Sequence, residues 1–150
     1  MTSSETMTKS KLDRGTKIYI GVLAAIALAI LVAWLLSLDP RVWKVNDRLE
    51  QDPEISAYPF PFRVLEISNG VAVVASPRSP QVSVMSFLGI VDPALRGTDP
   101  DSPAAVAAQK ELADIQGRVR KLVEAEPEIK RVSWRVDVDW LAAHGVQLQP

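Results

Sequence analysis

Ile18-Tyr19-Ile20-Gly21-Val22-Leu23-Ala24-Ala25-Ile26-Ala27-Leu28-Ala29-Ile30-Leu31-Val32-Ala33-Trp34-Leu35-Leu36-Ser37-Leu38 is a run of 21 residues without a charged side chain or a proline. At about 1.5 Å per residue, a helix of that length spans the roughly 30 Å core of a bilayer. The run therefore reads as a transmembrane helix, and it divides the chain. Residues 1–17 form a short polar tail, 18–38 the span, 39–141 a small domain and 142–150 a frayed tail. A cleaved secretory apolar region is shorter, about 7–15 residues, and ends at a pair of small residues. Here the run continues to Leu36-Ser37-Leu38-Asp39-Pro40, so an uncleaved signal-anchor is expected.

Five small residues inside the span share one spacing. Gly21, Ala25, Ala29, Ala33 and Ser37 each follow the last by four positions, and they take up most of the span's small residues. Small side chains at that interval let two backbones approach closely in lipid, where dispersion contacts drive association. The plainer reading is that alanine is common in membrane helices. The stripe nevertheless nominates these five residues as a helix-packing interface. Its partner is expected to be an integral membrane protein or a second copy of the chain.

To the N-terminal side, residues 1–17 carry Lys9, Lys11, Arg14 and Lys17 against Glu5 and Asp13, for a net +2. Residues 39–150 carry a net −3. The positive-inside rule weighs those four cations against Arg41, Lys44 and Arg48 beyond the span. It favours a cytoplasmic N-terminus and an exported C-terminal domain. Residues 1–11 have too little apolar content to offset ordering entropy. An acidic outer domain also lacks the basic patch that nucleic acid requires. There is no cysteine, hence no disulfide framework.

To the C-terminal side, Asp39-Pro40 has the chemistry of a helix start, a cap followed by a first-turn proline. Val42, Val45 and Leu49 keep helical spacing, so residues 40–51 read as a short amphipathic helix ended by Asp52-Pro53. Ala57-Tyr58-Pro59-Phe60-Pro61-Phe62 reads as an extended connector. Phe62 to Ser68 and Val71 to Ala75 read as strands joined by Asn69-Gly70, a dipeptide suited to a tight turn with positive φ. Gln81 to Val91 reads as a further apolar strand, followed by a loop from Ala94 to Asp101. Ser102-Pro103 opens a long helix with Ala108, Leu112, Ile115, Val119 and Leu122 as its buried stripe. The last strand alternates, with Val132, Trp134, Val136, Val138 and Trp140 on one face and Ser133, Arg135, Asp137 and Asp139 on the other.

Helix, strands, helix, strand is the order of an α+β domain, α-β-β(-β)-α-β after the membrane helix. Three segments carry a resemblance. They are Val45-Asn46-Asp47-Arg48-Leu49-Glu50-Gln51-Asp52-Pro53-Glu54-Ile55, the hairpin Arg63-Val64-Leu65-Glu66-Ile67-Ser68-Asn69-Gly70-Val71-Ala72-Val73, and the helix from Pro103 through Glu128-Ile129-Lys130-Arg131-Val132. Together they resemble the BON domain, a small module of bacterial envelope proteins, over roughly residues 41–139. Glu128-Ile129 departs from the Gly-Val that usually precedes the family's last strand. Residues 77–102 then look like an added strand and loop. Alternatively, Gln81 to Val91 is the family's second strand and the hairpin is the insertion. The resemblance implies a non-enzymatic binding module of the bacterial envelope, and it brings no catalytic residues.

No cofactor or metal is expected, and no enzymatic chemistry. His144 is the single histidine, with no cysteine to join it in a nucleophile–base pair or a metal cluster. Asp137 and Asp139, like Asp99 and Asp101, supply fewer oxygens than a divalent-ion site needs, so solvated carboxylates are the simpler reading. Trp134 and Trp140 read most simply as core. Tryptophan is also enriched at interface hot spots, which keeps Trp140 and the juxtamembrane Trp43 as possible docking residues. The expected role is an accessory subunit in the bacterial inner membrane, packed through its helix into a larger complex with its domain in the periplasm. The alternative is a tethered BON-like module contacting lipid or another envelope component.

Overall fold

The computed structural model describes residues 13–37 and 39–146, with side chains at 36 and 37 outside the description. Two compact units divide the chain, Met1–Leu38 and Asp39–Pro150.

The first unit is helix α1, Arg14–Ser37. It begins four residues ahead of the apolar run, inside what reads from sequence as the polar tail. Asp13 accepts from the Arg14 backbone N–H at 2.8 Å, and its carbonyl accepts from Lys17. The helical pattern therefore extends through Gly15 and Thr16, which break no backbone rule. The expected disorder of residues 1–11 lies outside the described residues.

The second unit mixes helix with one three-stranded sheet. Helix α2, Pro40–Gln51, is capped by Asp39 as its sequence suggests. Asp52 ends α2 and at once caps α3, Pro53–Ala57, by accepting from Glu54 and Ile55. Strands β1, Val64–Ser68, and β2, Val71–Ser76, pair antiparallel through the Asn69-Gly70 turn. Both turn residues have positive φ, +50° and +76°, as this tight hairpin requires. A bulge between Val64 and Glu66 shifts the register. The Asn46 side chain holds the same place, accepting from the Val64 N–H at 2.7 Å and donating to its carbonyl at 3.0 Å. Strand β3, Arg131–Val136, adds parallel to β2, giving the order β1-β2-β3.

The core lies between one sheet face and the helices. Val45 and Leu49 of α2 and Leu112, Val119 and Val123 of α5, Pro103–Glu124, are at most 1 % exposed. They meet Val64, Ile67, Ala72 and Val74 of the sheet within one cluster. Along α5 the buried positions are Ala105, Leu112, Ile115, Val119 and Val123, while Ala108 and Leu122 pack at its margin. The expected stripe is thus rotated by a fraction of a turn.

Two expectations fail here. Gln81 to Val91 contains no strand beyond an isolated Ser79–Val82 bridge; residues Val84–Val91 form helix α4. Ser83 caps it, and Phe87, Leu88 and Gly89 are buried. An apolar run this short has no readable period, and a helix closes its own backbone hydrogen bonds where no neighbouring strand is in place. The last strand is also shorter than its alternation. It stops at Val136, because the Asp137 carboxylate accepts from the Trp140 N–H at 3.0 Å and starts helix α6, Val138–Ala143. Val138 is consequently 48 % exposed. A 3-10 turn, Pro93–Leu95, occupies the expected loop and buries Leu95. Residues 142–146 are ordered by α6 and its Gly145 end (φ +83°), where Val146 donates to Leu141. The remainder of the expected frayed tail lies outside the described residues.

Candidate functional site

Three places hold the residues that sequence nominates. The first is α1. It is long and apolar enough to cross a membrane, and none of that span is buried within the chain. Gly21, Ala25, Ala29 and Ala33 all fall on this helix and are exposed. Four residues advance a helix by about 6 Å and 400°, so they form one ridge with a slow drift. A Cβ placed on Gly21 would meet nothing within 4 Å, so no contact within the chain calls for a glycine there. The side chain of Ser37 lies outside the described residues.

The second place is the outer surface of α2. Val45 and Leu49 point into the core, which leaves Trp43 facing out, 72 % exposed. The cations of α2 are ion-paired. Arg41 contacts Asp39 at 2.7 Å and Glu128 at 3.3 Å. Lys44 contacts Glu126 at 3.2 Å, and Arg48 contacts the same carboxylate. The Arg41 guanidinium holds the Asp39 carboxyl below the usual carboxylate range. Behind these pairs, Val45, Ile67, Pro127 and Ile129 line a cleft of about 300 Å³.

The third place is an aromatic cluster at the other end of the core. Phe60 is fully buried and meets Phe62, Phe87 and Trp140 edge-on at 4.9, 6.1 and 5.2 Å. Trp134 packs on Phe62 at 6.3 Å. Trp140 therefore stands on a helix, not on a strand face, half-buried among rings. His144 stacks on it at 3.9 Å and bonds the Trp140 carbonyl through Nδ1 at 2.7 Å. The expected loose-tail histidine is a lid on this tryptophan. Tyr58 flanks the cluster, and burial with the nearby Glu111 charge pushes its phenol up to about 12.

Asp137, Asp99 and Asp52 are engaged in holding structure. Asp137 is 7 % exposed, caps α6 and accepts from Arg63 at 2.8 Å. Asp99 accepts from the Asp101 N–H within its own turn. Asp52 receives the Arg118 Nε on both oxygens, at 2.9 and 2.8 Å, which fastens α3 to α5 and lowers its pKa. Among the described residues no group of three or more His, Cys, Asp or Glu could hold a metal ion. Sequence reasoning missed Asn46 at the strand bulge and the Asp52–Arg118 tie. The Asp-Pro dipeptide signals the cap, but the 66-residue separation from Arg118 leaves no local trace of the pair.

Comparison of the chain with protein-family models, curated proteins and solved structures finds no match.

Proposed function

We propose that this chain is a single-pass accessory subunit of a bacterial inner-membrane complex, held there by α1 and presenting Asp39–Pro150 on the periplasmic side. The observation that carries this reading is α1 itself. It is a helix of 24 residues, exposed along Arg14–Leu35, and it bears a ridge of small residues suited to a second helix. Lipid alone satisfies the bulky positions equally well, so only a partner makes the ridge useful. The net +2 ahead of the span supports a cytoplasmic N-terminus. A BON-like role for the second unit draws on the order helix, hairpin, helix, strand, with α4 inserted before α5. Asp52, Asp99, Asp137 and His144 are absorbed in caps, turns, ion pairs and stacking, which favours binding over catalysis.

Mild-detergent purification of the tagged chain from its native membrane, followed by mass spectrometry, tests the reading. A defined set of integral membrane proteins is expected, and Ala29→Leu should reduce its recovery severalfold by wedging the ridge apart. Purification of the wild-type chain alone would point to the tethered-module alternative. Unchanged recovery with Ala29→Leu would remove the ridge from the interface.

A further inference from the structure

We propose that Trp43 seats the Asp39–Pro150 unit on the headgroup layer of the bilayer, through its indole ring and without dependence on lipid charge. The inference rests on reading α1 as a membrane anchor and adds a second point of membrane contact.

Among the described residues of this unit, Trp43 is the most exposed large apolar side chain, at 72 % against 50 % for Val106 and 48 % for Val138. Trp134 and Trp140 pack against the core instead. An indole has a broad apolar body and one N–H donor, and it favours the membrane–water boundary over either bulk water or hydrocarbon. The chain supplies the reach. Six peptide steps lead from Ser37, the end of α1, to Trp43, and the last three are helical. Three extended steps and one helical turn place their Cα atoms at most about 16 Å apart, whatever angle the chain takes. The charges of α2 bear on the kind of contact. Arg41, Lys44 and Arg48, the cations of α2, are all paired with Asp39, Glu126 and Glu128. A polybasic surface drawn to anionic lipid would leave its cations free. Asp47 and Glu50, which share Trp43's face of α2, add no cation there, so the group offered to the headgroup layer is the ring.

The test uses the full-length chain labelled with 5-fluorotryptophan in phosphatidylcholine nanodiscs. Trp34→Phe and Trp43→Phe variants assign the fluorine signals. One relaxation probe is a lipid with a nitroxide near its carbonyl, and the other is a water-soluble gadolinium chelate. The nitroxide lipid should erase the Trp34 and Trp43 signals and leave those of Trp134 and Trp140, and the chelate should leave Trp43 visible. Addition of phosphatidylglycerol should not change this pattern. If the chelate erases Trp43 while the lipid probe erases only Trp34, the anchor stands and the Trp43 contact is overturned. If Trp34 also survives the lipid probe, α1 is not in the bilayer and both readings fall. A Trp43 signal lost to the lipid probe only with phosphatidylglycerol present would overturn the charge-independent contact.

Discussion

Leu31 of α1 is 49 % exposed, whereas Leu112 of α5 is fully buried. Both sit in the middle of long helices, of 24 and 22 residues. The two helices differ in what surrounds the leucine in sequence. Around Leu31 every neighbour is apolar, so no face is marked for a core and none for water. Around Leu112, Lys110, Glu111 and Asp114 reserve the outer face for solvent, and Ala105, Ile115 and Val119 share the inner one. A helix that is apolar all round must find its cover outside itself, whereas an amphipathic one specifies the side on which cover will be. The first unit therefore depends on its medium, and the second unit carries its own core.

The sharpest way to break that contrast is to remove side chains from both. Phe87→Ala should cost about 3–5 kcal/mol, because Phe87 is fully buried against Phe60, Tyr58 and Trp140. Leu31→Ala should leave the unfolding free energy of the second unit unchanged within about 0.5 kcal/mol. Denaturant unfolding in detergent, followed through tryptophan fluorescence, reads both. An equal loss from the two substitutions would mean that the units do not stabilise themselves independently.

A smaller effect is expected at Asp52, which joins three elements of the second unit at once. Asp52→Ala removes the α3 cap and the Arg118 pair, for a loss of about 1–2 kcal/mol after allowing for solvent screening of the partly exposed guanidinium. The Asp52 pKa is lowered in the fold, chiefly by hydrogen bonding to Arg118. Its contribution is thus fully present above the unfolded value of about 3.9 and lost as pH falls through the folded one. Asp52→Asn keeps a capping oxygen and removes the charge, so its stability should fall less steeply with acid than wild type. Parallel acid slopes for the two proteins would show that the pair adds nothing.

The smallest change has the opposite sign. Gly117 lies inside α5, and a Cβ there would meet nothing within 4 Å. Gly117→Ala should raise the stability of the second unit by about 0.5–1 kcal/mol, since alanine has less conformational freedom to lose. Gly70 is the contrasting position. Its φ is +76° and a Cβ would come within 3.3 Å of Lys130, so alanine there should destabilise. Thermal melts of the two variants give the comparison directly.

Some elements were legible because their signals are local. Asp39-Pro40 and Ser102-Pro103 start helices where they stand, since a cap and a first-turn proline act within one turn. Asn69-Gly70 marks its hairpin because the turn itself requires positive φ. Val84–Val91 was illegible for the converse reason. A short, mostly apolar run of eight residues suits a buried helix and a buried strand alike, and the surrounding layers choose. At the end of β3, alternation continues through Asp137, Val138 and Asp139, yet Asp137 caps a helix there and turns the chain. That capping also moved Trp140 from a strand face into the Phe60 and Phe87 rings, where His144 covers it. The sites followed the same division. The Gly21 to Ala33 ridge and the place of Trp43 just past the apolar run were visible as spacing and position, whereas the exposure of Trp43 and the pairing of the α2 cations were not.

Local patterns were enough to specify a helix able to cross a bilayer, its small-residue ridge, the caps, the hairpin turn and the amphipathic α5. Each rests on composition or on contacts within a few residues. Only the tertiary structure decided that residues 84–91 are helical, that β3 joins β2 in parallel, and that Arg118 ties Asp52 across 66 positions. Those outcomes depend on which apolar faces meet and which buried polar groups find partners, and both are settled only when distant segments pack together.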